Sequence, residues 1–230
     1  MEIIQKILEA DIELFLFLNS YYSDYWDSIM LIITHKEIWF PFFLVTIFFL
    51  IKKYRSKSLL ILIFLALTIL ASDQLSVLIK DTVQRLRPVY NPQIQHLVHS
   101  VLQNSGQYGF VSSHAANSFG IFFFISRIFR KRGFSLLLFF WALVFSYSRI
   151  YLGVHYPGDI ICGAILGAFI GIVLYKILMF IENHFFLTQN PKIRNTNLDS
   201  RQSGLLFLVF CVSTATLFIA VSIIHYYNFI

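Results

Sequence analysis

Residues 133–159 read GFSLLLFFWALVFSYSRIYLGVHYPGD. The run 133–151 is apolar and close to the roughly 20 residues a helix needs to cross a bilayer. It closes on Ser148-Arg149, with His155 and Asp159 following at spacings of six and four, and a second long apolar run, 159–181, starts at that carboxylate. The same design occurs twice upstream. Run 58–80 ends on Lys80, followed at 87–88 by Arg87-Pro88, and run 113–129 is headed by Ser112-Ser113-His114. Three fixed cations, two histidines and a carboxylate thus stand at the ends of membrane-length runs. Ionisable groups are costly there and are retained for function or pairing.

Composition points the same way. The 230 residues are 57% hydrophobic, 18% aromatic and 13% charged, roughly half the charge of a soluble domain. The formal charge of +6 comes from short basic clusters between apolar runs, with no basic stripe and no aromatic ladder on a polar background. Nucleic-acid binding is therefore excluded as a partner class. Cys162 and Cys211 fall inside apolar runs and read as small core residues, not a disulfide or a metal pair. The start Met1-Glu2-Ile3 lacks the basic n-region of a removable signal peptide.

The expected fold is all-α: a polytopic membrane helix bundle of about six transmembrane helices, forming one domain over 1–230 with its motif core at 80–159. Segments 58–80, 113–129, 133–151, 159–181 and 204–227 are the clear spans, the last a C-terminal transmembrane helix. Segment 37–52 is a short, aromatic sixth. Residues 1–20 alternate polar and apolar side chains at helical spacing, which predicts a helix lying in the interface plane. Asn19–Trp26 reads as a turn at headgroup level, and 28–34 is apolar but too short to span. Eleven of the eighteen basic residues fall in 52–57, 127–132 and 182–203, on one side of this arrangement. The positive-inside rule assigns that side to the cytoplasm and the three polar blocks to the outer face. This implies an integral protein of a bacterial inner membrane with a periplasmic site.

The blocks suit phosphate chemistry. A phosphoryl group carries about two negative charges, and its transfer depends on positioning and charge stabilisation. Arg87 and Arg149 supply forks and Lys80 a point charge. Ser112 is a favourable N-cap, and the helix start it marks presents free N–H groups to an anion. Gly109 allows close approach. Asp159, four residues after His155, is placed to orient the imidazole. His155 is accordingly the better nucleophile candidate and His114 the better acid–base candidate.

Together these residues resemble the three-part signature of the type 2 phosphatidic acid phosphatase superfamily, in its integral-membrane lipid phosphatase branch. Lys80 through Arg87-Pro88 and Ser148-Arg149 through His155 and Asp159 match in full. The middle block departs, with Val111 for proline and Ser113 for glycine, though a Ser113 N–H can still donate. The resemblance implies a metal-independent phosphohistidine mechanism with no cofactor: His155 as nucleophile, Asp159 as its partner, His114 as acid and base, and Lys80, Arg87, Ser112, Ser113 and Arg149 around the phosphate. It also implies a phosphorylated lipid as substrate: undecaprenyl pyrophosphate, phosphatidylglycerol phosphate, phosphatidic acid or a phosphate of lipid A. The competing reading is a non-catalytic transporter or lipid-binding scaffold on the same fold. A soluble vanadium haloperoxidase shares the cradle, but these helices are too apolar for it.

Four features stay open at this level. Asp73, seven residues before Lys80 and on one face with it and Ser76, either supports the cradle or makes a helix–helix contact. Gly163, Gly167 and Gly171 form a stripe for packing inside the bundle or for a homodimer. His96 and His99 either touch a headgroup or are ordinary interfacial residues; with His114 they lack the carboxylates or thiolates of a metal site. Lys176 reads as a snorkelling side chain.

Overall fold

The glycine stripe settles where the bundle is tightest. In the computed structural model, which describes residues 2–102, 106–185 and 191–227, helix α7 (Pro157–Phe185) lies along α5 (Ser113–Phe129). A Cβ on Gly163 would stand 2.6 Å from the Ser112 carbonyl oxygen, one on Gly171 2.6 Å from that of Gly120, and one on Gly167 would collide with Ala116. The two backbones are in contact, as small residues permit where lipid supplies no hydrophobic drive between helices. The stripe is therefore spent inside the bundle, and α5 occupies the face a dimer would have used.

Around this pair stand α4 (Ser58–Val83), packed on both, and α6 (Arg132–Tyr151), packed on α5. Outside them lie α3 (Phe40–Tyr54) and α8 (Ser200–Tyr226). Among the described residues four stretches are long and apolar enough to cross a membrane: Lys36–Val83, which contains both α3 and α4, Arg132–Tyr151, Pro157–Phe185 and Ser200–Tyr226. Helix α5, at 17 residues, is the short central element, with nine of its residues buried. The protein is an all-α integral membrane protein.

Two expectations need correction at the N-terminal side. The stretch 28–34 belongs to a regular helix, α2 (Asp24–Thr34), N-capped by Ser23. A single 3-10 turn, Lys36–Trp39, separates it from α3, so the expected span 37–52 starts as that turn. The headgroup turn shrinks to 20–23, because Asn19 closes α1 (Glu2–Asn19) and Asp24 opens α2. In both cases the elements stand where expected and their boundaries move, because a Ser23 cap and a 3-10 turn leave no mark on hydropathy. Helix α1 itself forms as expected, with Ile3, Ile4, Ile7, Leu8, Leu14 and Phe17 exposed and Phe15 buried.

The basic loops gather at one end of the bundle. The Tyr54 hydroxyl donates to Ile128 O (2.7 Å) or Thr196 O (3.0 Å), Lys131 bonds Ser200, and Lys53 faces Asp199. Lys57 is not a free loop charge: it is 2% exposed and paired with Glu182 at 2.6 Å. Glu182 also accepts the Ile193 N–H at 2.7 Å. Cys211 is corrected too, being exposed on α8 while Cys162 is half-buried. In a membrane helix every face is apolar, so apolar neighbours do not mark the inner one. Residues 1, 103–105, 186–190 and 228–230 lie outside the described residues.

Candidate active site

The end opposite the basic loops is where α4, α5 and α6 finish or begin and where α7 starts. It gathers all three polar blocks. Ser112 caps α5, its hydroxyl accepting the Ala115 N–H at 3.4 Å, while its own N–H donates to the Asp159 carbonyl at 3.0 Å. That bond ties the head of α5 to the head of α7. Pro157 opens α7, where its missing N–H costs nothing.

Asp159 is fully buried and His155 2% exposed. His155 Nδ1 lies 3.3 Å from Asp159 Oδ2, and the same oxygen accepts the Tyr156 N–H at 3.0 Å. The imidazole is also hydrogen-bonded to the Gly109 backbone. A Cβ on Gly109 would stand 3.1 Å from both Arg87 Cγ and Asp159 Oδ2 and 3.5 Å from His155 Nδ1, so glycine lets the loop close on the pair. That loop is held by a short antiparallel contact. Arg87 N donates to Gln107 O and Gly109 N to Arg85 O, and Arg87 Nε donates to Tyr108 O at 3.1 Å. Burial lowers the pKa of His155 well below the usual imidazole value, and Arg87, Arg149 and Lys80 lower it further. The ring is held neutral. Burial also lowers that of Arg87, against the pull of Asp159.

Lys80 Nζ donates to the Ser113 hydroxyl, which lies 2.6 Å from Ser76 Oγ. Arg149, 7% exposed, gives one arm to Thr34 Oγ1 at 2.8 Å. Its Nε is buried without a partner among the described residues. A buried unpaired guanidinium N–H is expensive and suits a site whose acceptor arrives with a ligand. His114 stacks on Phe145, centroids 5.3 Å apart.

A cavity of about 750 Å³ adjoins the site. Ser113, His114 and Arg149 form its end at the site, Thr34, His35, Lys36, Glu37, Asp73 and Asn117 are further polar lining, and Phe43, Ile47, Leu50, Leu65, Ile69, Ile121, Ile125 and Trp141 are apolar lining. From His114 to Ile125 is eleven residues of α5, about 16 Å.

Every expected residue reaches this end of the molecule, with adjustments. Ser112 is engaged as cap and tether, so it is the Ser113 hydroxyl that meets Lys80. Asp73 lines the cavity, and among the described residues its carboxylate accepts the adjacent Gln74 amide, at 3.4 Å. Its carbonyl accepts Ser76 Oγ at 2.7 Å. Asp73 thus stands behind the cradle, linked to the Ser113 hydroxyl through Ser76. His99 stacks on Tyr22 at 3.8 Å and pairs with Asp27 at 2.9 Å; it fastens the outer loop to α2. Sequence reading missed Thr34, Arg85 and Asp11. Arg85 donates to Asp159 Oδ1 at 3.0 Å and to Asp11 Oδ2 at 2.8 Å. The one available signal was Arg85 standing two residues from Arg87 on the face expected to be poor in cations.

Comparison with known proteins agrees with this geometry. The family model described as the PAP2 superfamily matches residues 60–182. The lipid A 4'-phosphatase of Bacteroides thetaiotaomicron is 41% identical over 179 residues, 76% of this chain and 79% of that protein. The enzyme of the same name from Porphyromonas gingivalis is 32% identical, over 81% of this chain and 80% of its own length. Among solved structures, Aquifex aeolicus LpxE superposes with a TM-score of 0.58 at 25% identity, covering 72% of this chain and 94% of that one. A transmembrane phosphatidylglycerolphosphate phosphatase from Bacillus subtilis shares the fold, at a TM-score of 0.56 and 19% identity over 80% of this chain and 90% of its own. With all three polar blocks assembled at one end of a membrane bundle, and the family model spanning the helices that carry them, the chain belongs to the PAP2 superfamily and is a membrane lipid phosphatase.

Proposed function

We propose that the protein removes the 4'-phosphate of lipid A at the outer face of the inner membrane, through a phosphohistidine on His155. The observation that carries the chemistry is the buried His155–Asp159 pair, 3.3 Å apart, in the field of Arg87, Arg149 and Lys80. The choice of lipid rests on the two lipid A 4'-phosphatases it resembles. The cavity supports a lipid in general: its polar end receives the phosphate and its apolar part an acyl chain.

In this scheme the other imidazole nitrogen of His155 attacks phosphorus. A P–N bond forms as the P–O bond to the sugar breaks, and His114 gives its proton to the departing oxygen. The Arg149 Nε, Arg87, Lys80 and the open first turn of α5 at Ser113 and His114 hold the phosphoryl oxygens, whose charge grows in the transition state. Water then attacks phosphorus with His114 as base, releasing inorganic phosphate and restoring His155. Asp159 holds the tautomer and stabilises the imidazolium character that develops.

The test is phosphate release by the purified protein in detergent from lipid A, phosphatidic acid, phosphatidylglycerol phosphate and undecaprenyl pyrophosphate, with the lipid A product sequenced by fragmentation. The expected product has lost the 4'-phosphate and kept the phosphate at the reducing end. Turnover of another lipid with lipid A untouched would overturn the substrate assignment. No turnover of any would favour the scaffold reading.

A further inference from the structure

Within the first block one cation is not a signature position: Arg85, between Lys80 and Arg87. Its Nη1 donates to Asp159 Oδ1 at 3.0 Å and its Nη2 to Asp11 Oδ2 at 2.8 Å. Its guanidinium lies 4.0 Å from the centre of the Tyr156 ring. The other Asp11 oxygen accepts the Gly158 N–H at 2.7 Å, in the first turn of α7 and immediately before Asp159. A closed circuit results: Asp159, Arg85, Asp11, Gly158 and back along the α7 backbone to Asp159.

Each member has a reason to be there. Asp159 is fully buried, and a buried carboxylate without a counter-charge is strongly disfavoured. Its Oδ2 is committed to His155 and to Tyr156 N, so Arg85 on Oδ1 supplies both the charge and the remaining hydrogen bond. A single guanidinium with one free arm could swing. Asp11 holds the second arm and is itself fixed by a backbone N–H, so the fork is set in plane. Bidentate geometry of this kind is specific to Arg.

Asp11 is brought in by α1. Asp11, Phe15 and Asn19 recur every fourth residue and share one face. Phe15 is fully buried and packs edge-on against Tyr156 at 5.4 Å. The Asn19 amide nitrogen lies within hydrogen-bonding range of the carbonyls of Tyr151 (2.8 Å), His99 (3.0 Å) and Ile150 (3.2 Å), and its oxygen accepts His99 N–H at 2.8 Å. The outer faces of α1 leave Ile3, Ile4, Ile7, Leu8, Leu14 and Phe17 uncovered, which suits a helix seated in the membrane interface. This helix lies outside the residues 60–182 matched by the family model.

We propose that Arg85 and Asp11 are positioning residues for the hydrolysis: Arg85 fixes the carboxylate of Asp159 against His155, and α1 delivers Asp11 to lock Arg85. The inference rests on reading Asp159 as the partner of His155. Neither residue touches substrate, so their loss should lower kcat and leave KM nearly unchanged.

The experiment measures kcat and KM of the full chain in dodecyl maltoside, with lipid A and with dioctanoyl phosphatidic acid, for R85Q, R85K, D11N, D11N/R85Q, D159N and H155Q. Each variant is checked by thermal unfolding. R85Q should lose about ten- to a hundredfold in kcat, the worth of a hydrogen bond to a charged group, with KM within about twofold. D11N should lose less, and R85K should recover part of the R85Q loss. D11N/R85Q should match R85Q, because Asp11 acts through Arg85 and their effects do not add. Unchanged kcat in R85Q, a loss confined to KM, or additive losses in the double variant would each overturn the proposal. If R85Q fails to fold, the kcat and KM of D11N decide, since it removes a charge and keeps the shape. Full activity in H155Q and D159N would instead overturn the reading of the pair beneath.

Discussion

Arg149 and Thr34 join α6 to the end of α2 through one hydrogen bond of 2.8 Å, in a place where Arg149 Nε has no acceptor among the described residues. The contact aims the fork: one arm is tied to protein and the buried Nε is left for a ligand. Substituting Thr34→Val keeps the shape and removes the acceptor. A hydrogen bond to a charged group contributes about 1.5–3 kcal/mol, so kcat/KM should fall by about ten- to a hundredfold with little change in melting temperature. Steady-state kinetics check this, and an unchanged kcat/KM would show that Arg149 is aimed by something else.

The Lys57–Glu182 pair at the opposite end should behave as a buried ion pair. Removing one partner strands a charge and costs about 3–5 kcal/mol, whereas replacing both by apolar residues is close to neutral. K57M should therefore lower the thermal unfolding temperature sharply in detergent and K57M/E182L should restore most of it. Equal destabilisation by single and double variants would mean the pair is a net contributor in its own right.

Much of the site was legible because its geometry is local. His155 and Asp159 are four apart across a helix start, Ser112 is a cap, and Lys80 ends a run, so spacing alone placed them. The partners that escaped are held by contacts between distant segments: Arg149 with Thr34, Arg85 with Asp159, Asp11 with Gly158, Lys57 with Glu182. No periodicity links such positions, and a basic residue in a loop looks the same whether it flanks a membrane or is buried against a carboxylate. The helices themselves were readable from apolar length, and the gap between 28–34 and 37–52 falls where α2 ends, but the 3-10 turn Lys36–Trp39 at the head of the second stretch was not readable. Phe40, Phe42 and Phe43 are as apolar beyond the turn as Ile29–Ile33 before it, and hydropathy does not report direction.

The neutral state of His155 has a consequence for stability. Its folded-state pKa is lowered well below 6.5, by burial first and then by Arg87, Arg149 and Lys80. Between that value and 6.5 the unfolded chain binds a proton the folded chain refuses, so stability falls as pH drops below 6.5 and is flat above it. His155→Gln carries no such group. Melting temperatures measured from pH 8 down to pH 5 should show the wild type losing ground to His155→Gln only in the acid part of the range. A constant difference across the range would contradict the depressed pKa.

The outward placement of the site is tested by labelling. Ser100 lies exposed in the loop at the site end, and Gly133 exposed beside Arg130, Lys131 and Arg132. In a Cys162→Ser/Cys211→Ser background, Ser100→Cys should react with an impermeant thiol reagent once the outer membrane is permeabilised. Gly133→Cys should react only after the inner membrane is broken. The opposite pattern would place the chemistry in the cytoplasm.

The central claim is that His155 becomes covalently phosphorylated in turnover. The enzyme is mixed with substrate, quenched in alkali, where a phosphorus–nitrogen bond to histidine survives, and digested for mass spectrometry. The account predicts one added phosphoryl group on the imidazole of His155, absent from His155→Gln and absent without substrate. Phosphate on His114 with His155 unmodified, in an enzyme that is turning over, would contradict it.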